Sequence, residues 1–486
     1  VSATVDEAVW AILHDALRLY QDSPRATNWL RHHISRFDSP LRIAVAGRPG
    51  SGKSTVVNAM IGDEVAPIGV NGPIFTWYQD GPQPRATVYM RQGPPAEPPT
   101  GRAGGRLDVD LTQLPSDDMT RIVVDWPARV LRDATIIDTP PIADEISEQL
   151  AAEADALLYL TPQVHVLDTR FLQSTQDHPV ARAAPVNAIM LLSRADETGG
   201  GRIDALSAAK QVARRYRGDA RVRGLCQNVV AVSGLIGQAG RTMPEDVYRT
   251  LAGLASGPRA EIDELLLTAD RFTRGEHVLP SATRRELAER LGIFGIRLAM
   301  TLIRQGADTR NKLAAELVQR SGMNELKESV CGLFIDRRRV LKARSALLGL
   351  DVVLRMEPKP GAANLVTEVE RVLAGAHEFH ELRLLGGLMS GRTKLPDELA
   401  AEATRLIGGA GTSPQARLGL DREPTPQEVQ TATFDALAKW REQSENPILD
   451  STEREAARVV VRSVEAMLNR RPAPAAAPAG PGWPGA

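Results

Sequence analysis

The chain has 486 residues, 43% hydrophobic and 24% charged, which is room for about three modules of roughly 150 residues and excludes a single small domain. Lys and Arg total 59 against 60 Asp and Glu, a formal charge of −1, so no nucleic-acid partner is expected and any basic role must be a local patch. Two cysteines, Cys226 and Cys331, exclude a disulfide framework and a cysteine-built metal cluster, and favour a reducing, cytosolic setting. No apolar run approaches the ~18 residues of a spanning helix, and residues 1–6 lack the basic and apolar regions of a secretory signal. A protein that is soluble, or attached to a membrane from one side, is expected.

In chain order, Val9, Ile12, Leu13, Ala16, Leu17 and Tyr20 recur at helical spacing, and a second helical stretch runs to about Phe37 before Asp38-Ser39-Pro40 interrupts it. A helical hairpin over 1–38 follows. From Leu41, short apolar runs alternate with helical stretches: 42–46, 86–90, 121–126, 134–137, 156–160, 186–192 and 229–232. This alternation predicts an α/β domain, doubly wound around a mostly parallel sheet, over about 41–245. Its least ordered part is expected at 92–105, where Pro94, Pro95, Pro98 and Pro99 sit among glycines. Past Asp246 the strand-like runs cease, and an elongated helical neck and trunk are expected over 246–470. There, 293–300 is apolar nearly all round, as in a helix enclosed by neighbours. Leu326, Val330, Leu333, Val340 and Leu347 form a narrow seam that predicts one helix over 323–356, on the order of 50 Å long. Residues 471–486, rich in Pro, Ala and Gly, read as a disordered tail.

Gly47-Arg48-Pro49-Gly50-Ser51-Gly52-Lys53-Ser54 is a G-x-x-x-x-G-K-S loop between the strand Ile43-Ala44-Val45-Ala46 and a helix beginning near Thr55. Its glycines let backbone N–H groups curl around a phosphate chain, Lys53 reaches the β- and γ-oxygens, and Ser54 ligates Mg2+. Base choice needs a second site, and Ser193-Arg194-Ala195-Asp196 follows the run 186–192. Asp196 can accept from guanine N1 and N2 while the Arg194 stem lies over the base; adenine offers neither donor. An Asp capping the next loop is the alternative. Ser233, after the last run, is a further candidate for the base edge. Asp138, in Ile136-Ile137-Asp138-Thr139-Pro140-Pro141, is placed to bind Mg2+ through water. Thr76, in Pro73-Ile74-Phe75-Thr76-Trp77, is either a Mg2+ ligand in the first switch segment or a residue of an ordinary strand. The cofactors expected are GTP or GDP with Mg2+, and Lys53 and Thr76 are the catalytic candidates.

The P-loop, D-T-P and S-R-A-D motifs, in this order between a helical hairpin and a helical second half, resemble the bacterial dynamin-like proteins. Phe75-Thr76-Trp77 and Arg290-Leu291-Gly292-Ile293-Phe294-Gly295 look, among these, like the isoniazid-induced Ini proteins of mycobacteria. The resemblance covers nearly everything before the tail. It implies a GTPase domain on a helical neck and trunk, and GTP hydrolysis coupled to self-association or to association with a related dynamin-like protein. It also implies remodelling of the plasma membrane from its inner face by a cytoplasmic, peripheral protein. Two departures bear on rate. Pro49 and Gly50 stand where such loops carry Gln-Ser, which help position the attacking water and a charge-compensating cation. Pro141 stands where the family's D-x-P-G ends in a glycine whose N–H meets the γ-phosphate, and proline has no N–H. Losing one such donor typically costs on the order of a hundred- to a thousandfold in rate, so slow intrinsic hydrolysis is expected.

A trunk of this kind meets lipid through a tip loop. Leu388 and Met389, beside Arg392 and Lys394, are the membrane candidates; the turn 356–360 is a second place. Partial insertion of apolar side chains with basic neighbours binds anionic headgroups reversibly. The alternative for the first place is a bundle turn whose leucines pack inward. Arg337-Arg338-Arg339 with Lys342 and Arg344 is read as a solvated or salt-bridged helix face in preference to a lipid patch. Three functions remain: a membrane-remodelling dynamin-like GTPase, a GTP-binding regulatory or scaffold subunit with weak hydrolysis, and a soluble assembly GTPase. Neutral charge and the lack of an RNA-binding module weigh against the last.

Overall fold

The computed structural model describes residues 4–66, 74–103, 106–141, 150, 153–175, 187–420 and 424–469. It opens with α1 (Val5–Leu19) and α2 (Pro24–Ser35), which pack together as the predicted hairpin. Ser23 caps α2 by accepting from the Ala26 N–H, and Pro24 takes the first helical position, where its missing donor costs nothing. Then come β1 (Leu41–Gly47), α3 (Lys53–Ile61), β2 (Phe75–Asp80), β3 (Arg85–Met90), β4 (Thr100–Ala103), β5 (Arg106–Val109), β6 (Met119–Trp126), α4 (Arg129–Asp133), β7 (Ala134–Asp138), β8 (Ala156–Thr161), α5 (Val166–Ser174), β9 (Ala188–Leu192), α6 (Ala205–Gly218), α7 (Ala220–Arg223) and β10 (Asn228–Ala231). Helices follow: α8 (Gly234–Arg241), α9 (Glu245–Ser256), α10 (Arg259–Leu265), α11 (Ala269–Arg274), α12 (Ser281–Arg304), α13 (Arg310–Arg320), α14 (Met323–Leu333), α15 (Arg338–Met356), α16 (Ala362–Gly375), α17 (His377–Ser390), α18 (Asp397–Leu406), α19 (Pro414–Leu418), α20 (Pro426–Glu445) and α21 (Ser451–Asn469). Among the described residues, no helix is long and apolar enough to cross a membrane.

Eight strands form one sheet in the order β10-β9-β8-β1-β7-β2-β6-β3. The first five are parallel neighbours, β2 is antiparallel to β7, β6 is parallel to β2, and β3 is antiparallel to β6. The sheet holds every predicted run and adds β2, which begins at Phe75. Within 92–105, expected to be the least ordered part, the described residues 92–103 carry regular pairing. Val88 and Ala96 exchange backbone hydrogen bonds of 2.8 and 2.9 Å, and β4 pairs with β5. Its prolines fall between the pairing residues, where no N–H is needed.

One sheet face is covered by Val56, Val57 and Met60 of α3, Val130 and Leu131 of α4, and Met323, Leu326, Val330 and Leu333 of α14. The core of the α/β unit thus draws on residues far beyond 245. The other face is covered by Phe171 and Leu172 of α5, Ala209 and Ala213 of α6, and Val222 of α7. Helices α8 to α13 share a flanking cluster around Leu251, Phe272, Leu291, Ile296 and Leu313. Phe294, Ile296, Leu298, Ala299 and Met300 are all buried, as the apolar run 293–300 requires.

The single helix predicted over 323–356 is not formed. α14 ends at Leu333, residues Ile335–Arg337 make a 3-10 turn, and α15 starts at Arg338. The seam serves two partners: Leu326, Val330 and Leu333 lie under the sheet, whereas Leu347 packs with α1 and α2. Arg337, buried at the break, donates to the carbonyls of Ile407 and Gly408. The basic run is therefore divided between the interior and a solvated face, on which Arg339 lies 3.7 Å from Asp6. Lys342 and Arg344 are also buried, Lys342 Nζ donating to the carbonyls of Phe37 and Ser39, while Arg338 and Arg339 are exposed. α1, α2, α15 and α16 form a neck bundle around Leu13, Leu30, Leu347 and Leu350. At its far end the Tyr20 hydroxyl donates to the Glu357 carbonyl (2.8 Å) and Lys359 pairs with Asp22. Helices α17 to α21 close a further bundle around Leu385, Leu406, Trp440 and Val460. The tail 471–486 lies outside the described residues.

Candidate nucleotide site

β1 runs up the middle of the sheet and delivers the glycine-rich loop at its C-terminal edge. A Cβ on Gly47 would lie 2.4 Å from the Leu160 carbonyl oxygen, so only glycine fits against β8 there. Gly50 (φ 70) and Gly52 (φ 89) take left-handed conformations that curl the loop back toward α3. Lys53 Nζ donates to the carbonyls of Gly47 (3.0 Å) and Arg48 (3.3 Å), folded over the loop it follows. Burial lowers its pKa, with the charge of Asp138 acting in the opposite sense. Ser51 Oγ is buried and has no hydrogen-bond partner among the described residues. Thr55 is half-buried in the first turn of α3, and Pro49 is exposed.

Ser54 Oγ donates to Asp138 Oδ2 at 2.8 Å, joining the loop helix to the end of β7. Burial pushes the Asp138 carboxyl up to about 6, against the Ser54 hydrogen bond and the Lys53 charge. Its second oxygen, Oδ1, is buried without a hydrogen-bond partner among the described residues. A hydroxyl and an unpartnered carboxylate oxygen are hard donors, and Mg2+ takes one or two such ligands beside waters and phosphate oxygens. The residues present fit that ion. Thr76 is the second residue of β2, buried, and is the cross-strand partner of Asp138. It belongs to a strand, and cross-strand partners project on the same face of a sheet.

Ser193, Arg194 and Asp196 follow the end of β9. Ser193 N–H donates to the Thr161 carbonyl (3.0 Å) and Ala195 N–H to the Val232 carbonyl (3.2 Å), which ties this loop to its neighbours. Ser193 Oγ is buried with no partner among the described residues. Arg194 adopts φ 53, which among the described residues is the one positive φ outside glycine. Its guanidinium pairs with Glu197 (3.1 Å), and its Nη2 would stand 3.8 Å from a Cβ on Gly50, so its side chain reaches from the end of β9 to the glycine-rich loop. Asp196 is half-buried. Ser233 is buried: its N–H donates to the Ser321 carbonyl (2.9 Å), and its Oγ caps α8 by accepting from Ile236 N–H (3.4 Å).

Sequence reasoning missed the support beneath the loop. Arg48 Nε lies 3.3 Å from Asp168 Oδ1, and the fully buried Asp168 also accepts from the Tyr159 hydroxyl (2.7 Å), Thr161 Oγ1 (3.2 Å) and the His165 N–H (2.7 Å). The signal present in sequence was His165-x-x-Asp168, an acid three residues after a helix cap.

The membrane candidates do not form a tip loop. Leu388 lies on α17, 3% exposed and packed in the C-terminal bundle, and its carbonyl accepts from Arg223 of α7 (2.9 Å). Met389 packs against the same cluster, while Arg392 and Lys394 are exposed beyond it. The two apolar side chains face inward because the bundle needs them to cover Trp440 and its neighbours.

Fold and loop together define a P-loop α/β protein with helical bundles built onto its flanks. No protein-family profile matches the chain. Isoniazid-induced protein IniC of Mycobacterium tuberculosis, in strains CDC 1551 / Oshkosh and ATCC 25618 / H37Rv, is 36% identical over 487 residues, spanning 96% of this chain and 98% of the relative. The chain belongs to the IniC family of isoniazid-induced proteins. Among solved structures, a member of an oligomerised bacterial dynamin pair described for long-range sensing and tethering of membranes is 13% identical over 96% of this chain and 74% of its own, with a TM-score of 0.33. The LeoA bacterial dynamin GTPase from ETEC is 12% identical over 94% and 71%, with a TM-score of 0.24.

Proposed function

We propose that the chain is a dynamin-like GTPase that binds GTP and GDP with Mg2+ and hydrolyses GTP slowly. It couples that cycle to self-association, or association with a related dynamin-like protein, on anionic membrane at the inner face of the plasma membrane. The observation that carries this reading is the Ser54–Asp138 hydrogen bond beside the curled loop, with one carboxylate oxygen left over for a cation. In use, Lys53 exchanges the Gly47 and Arg48 carbonyls for β- and γ-phosphate oxygens. Ser54 and, through water, Asp138 would hold Mg2+, which would offset negative charge on the phosphates. Asp196 accepts from guanine N1 and N2 while the Arg194 stem covers one face of the base. Pro141 offers no N–H to the γ-phosphate and Pro49 no side-chain amide to a water, so both departures lower turnover more than ground-state affinity.

Titration with fluorescent guanine and adenine nucleotides tests the assignment. Lys53→Ala should abolish binding. Asp196→Asn should weaken guanine nucleotide selectively and favour xanthine nucleotide, whose base carries a carbonyl where guanine carries its amino group. Equal wild-type affinity for ATP and GTP would overturn it.

A further inference from the structure

The segment 290–295, which stands out in the sequence, meets the nucleotide helix from behind. α3 carries Lys53 and Ser54 in its first turn, and its other end is gripped through the two acids that follow it. Asp63 accepts from the Trp126 indole N–H (3.0 Å). Glu64, its side chain only 7% exposed, gathers three elements. Arg106 of β5 donates through Nε at 2.5 Å and Arg290 of α12 through Nη1 at 2.8 Å, and the Thr242 hydroxyl lies 3.5 Å away. The backbone follows suit: Leu107 N–H donates to the Glu64 carbonyl (2.8 Å), and Asn58 of α3 accepts from the N–H groups of Val65 and Ala66.

Arg290 is itself enclosed, its side chain 14% exposed and its Nε 3.5 Å from Glu286 one turn earlier. Two residues on, Gly292 leaves the helical region at φ 64 and ψ 170, beside Leu235 of α8. α8 in turn lies on α3, with Gly234 against Val56. The flanking helices therefore reach α3 by an apolar route through α8 and by an ionic route through Arg290 and Glu64. A buried carboxylate is stable as a charge only while its partners stay in place, which makes the ionic route sensitive to position.

We propose that Arg290 is a positioning residue for the nucleotide site, acting through Glu64 on the orientation of α3; the role rests on the reading of the P-loop as a GTP site. α3 is a rod of nine residues, about 13 Å long, so a tilt at its Glu64 end shifts Lys53 and Ser54 at the other. Contacts to a transition state tolerate such shifts less well than contacts to a bound ground state. Loss of Arg290 therefore lowers turnover more than affinity.

The test uses the full chain and the variants Arg290→Gln, Arg290→Lys, Glu64→Gln and Arg290→Gln with Glu64→Gln. Three quantities are measured: affinity for mant-GDP, phosphate release in a single turnover at saturating GTP, and melting temperature. Arg290→Gln should slow single turnover by on the order of tenfold or more while mant-GDP affinity stays within about threefold. Arg290→Lys should recover most of the rate, and the double variant should be no slower than the slower single one, because both changes remove one contact. A wild-type rate in Arg290→Gln overturns the role. So does an equal loss of rate and affinity that tracks a fall in melting temperature. Should Arg290→Gln not fold, Glu64→Gln, which keeps the shape but removes the charge that Arg290 pairs with, decides: a wild-type rate in it also overturns the role. Wild type that binds no mant-GDP removes the nucleotide reading and this role with it, whereas wild type that turns over beside indifferent variants removes this role alone.

Discussion

Pro141 is exposed just beyond the buried Thr139-Pro140 pair, where the chain leaves β7 past Asp138. Pro141→Gly restores an N–H at that point, and we expect it to raise single-turnover phosphate release without tightening GDP binding, since the added donor acts on transition-state charge. No gain in that assay would place the missing donors elsewhere. His33 supplies a second residue-level prediction. It is 1% exposed between α2 and α15, both ring nitrogens lack hydrogen-bond partners among the described residues, and a Cβ on Gly349 would collide with the ring. Burial, with the Arg36 charge beside it, lowers its pKa from 6.5 to about 3; His32 and Arg42 act in the same sense and Glu153 in the opposite one. The unfolded chain takes up a proton below 6.5 that the folded chain refuses. This contribution is therefore complete above pH 6.5 and is lost as the pH falls toward 3. At pH 5 the loss is about 2 kcal/mol. Urea midpoints at pH 7 and pH 5 should show it, and His33→Gln should flatten the difference relative to wild type; an unchanged difference would show that other groups, such as His377, carry the effect. At this scale the P-loop was legible because its physics is local: a strand, glycines, a lysine and a helix adjoin in the chain. The engagement of Ser233 was not, since the carbonyl that takes its N–H belongs to Ser321.

Elements were legible where one period met one partner. The strands of the sheet announced themselves as short apolar runs because the sheet is covered on both faces. At Phe75-Thr76-Trp77 the sequence allows either a switch segment or an ordinary strand, and the chain forms β2 there. The helix over 323–356 failed because a seam records that residues are buried, not against what, and here the sheet takes one end and the neck the other. The same blindness explains Leu388, whose glycine- and basic-residue neighbours look like a loop although it lines a bundle core. Leu388→Ala should cost about 2–5 kcal/mol in a denaturation experiment, the range for truncating a buried leucine. A loss below 1 kcal/mol would return the residue to the surface.

For the whole molecule, the second membrane candidate of the sequence, the turn 356–360, closes the far end of the neck, and lipid contact there is open to test. Val352 (42% exposed) and Met356 (60% exposed) stand one turn apart at the end of α15, and Lys359 follows in the turn that closes on Tyr20 and Asp22. We expect Val352→Asp with Met356→Asp to remove binding to anionic liposomes while shifting stability by no more than about 0.5 kcal/mol per residue, since neither is in a core. Retained co-sedimentation would exclude this end as the contact. The neck and the sheet also share a consequence for how the protein is made. β10 ends at Ala231, but α14, which helps cover the sheet, begins at Met323, and α15, the partner of α1 and α2, begins at Arg338. At the usual pace of about 5–20 residues per second, a ribosome spends roughly 5–20 s between the last strand and its cover, and roughly 15–60 s between the first two helices and theirs. Throughout that interval the nascent chain displays Val9, Leu13 and Leu30 and the part of one sheet face that α14 will cover to the surrounding solution. A chaperone acting on the emerging chain would find its substrate there, and a fragment stopped at 245 would never bury those surfaces.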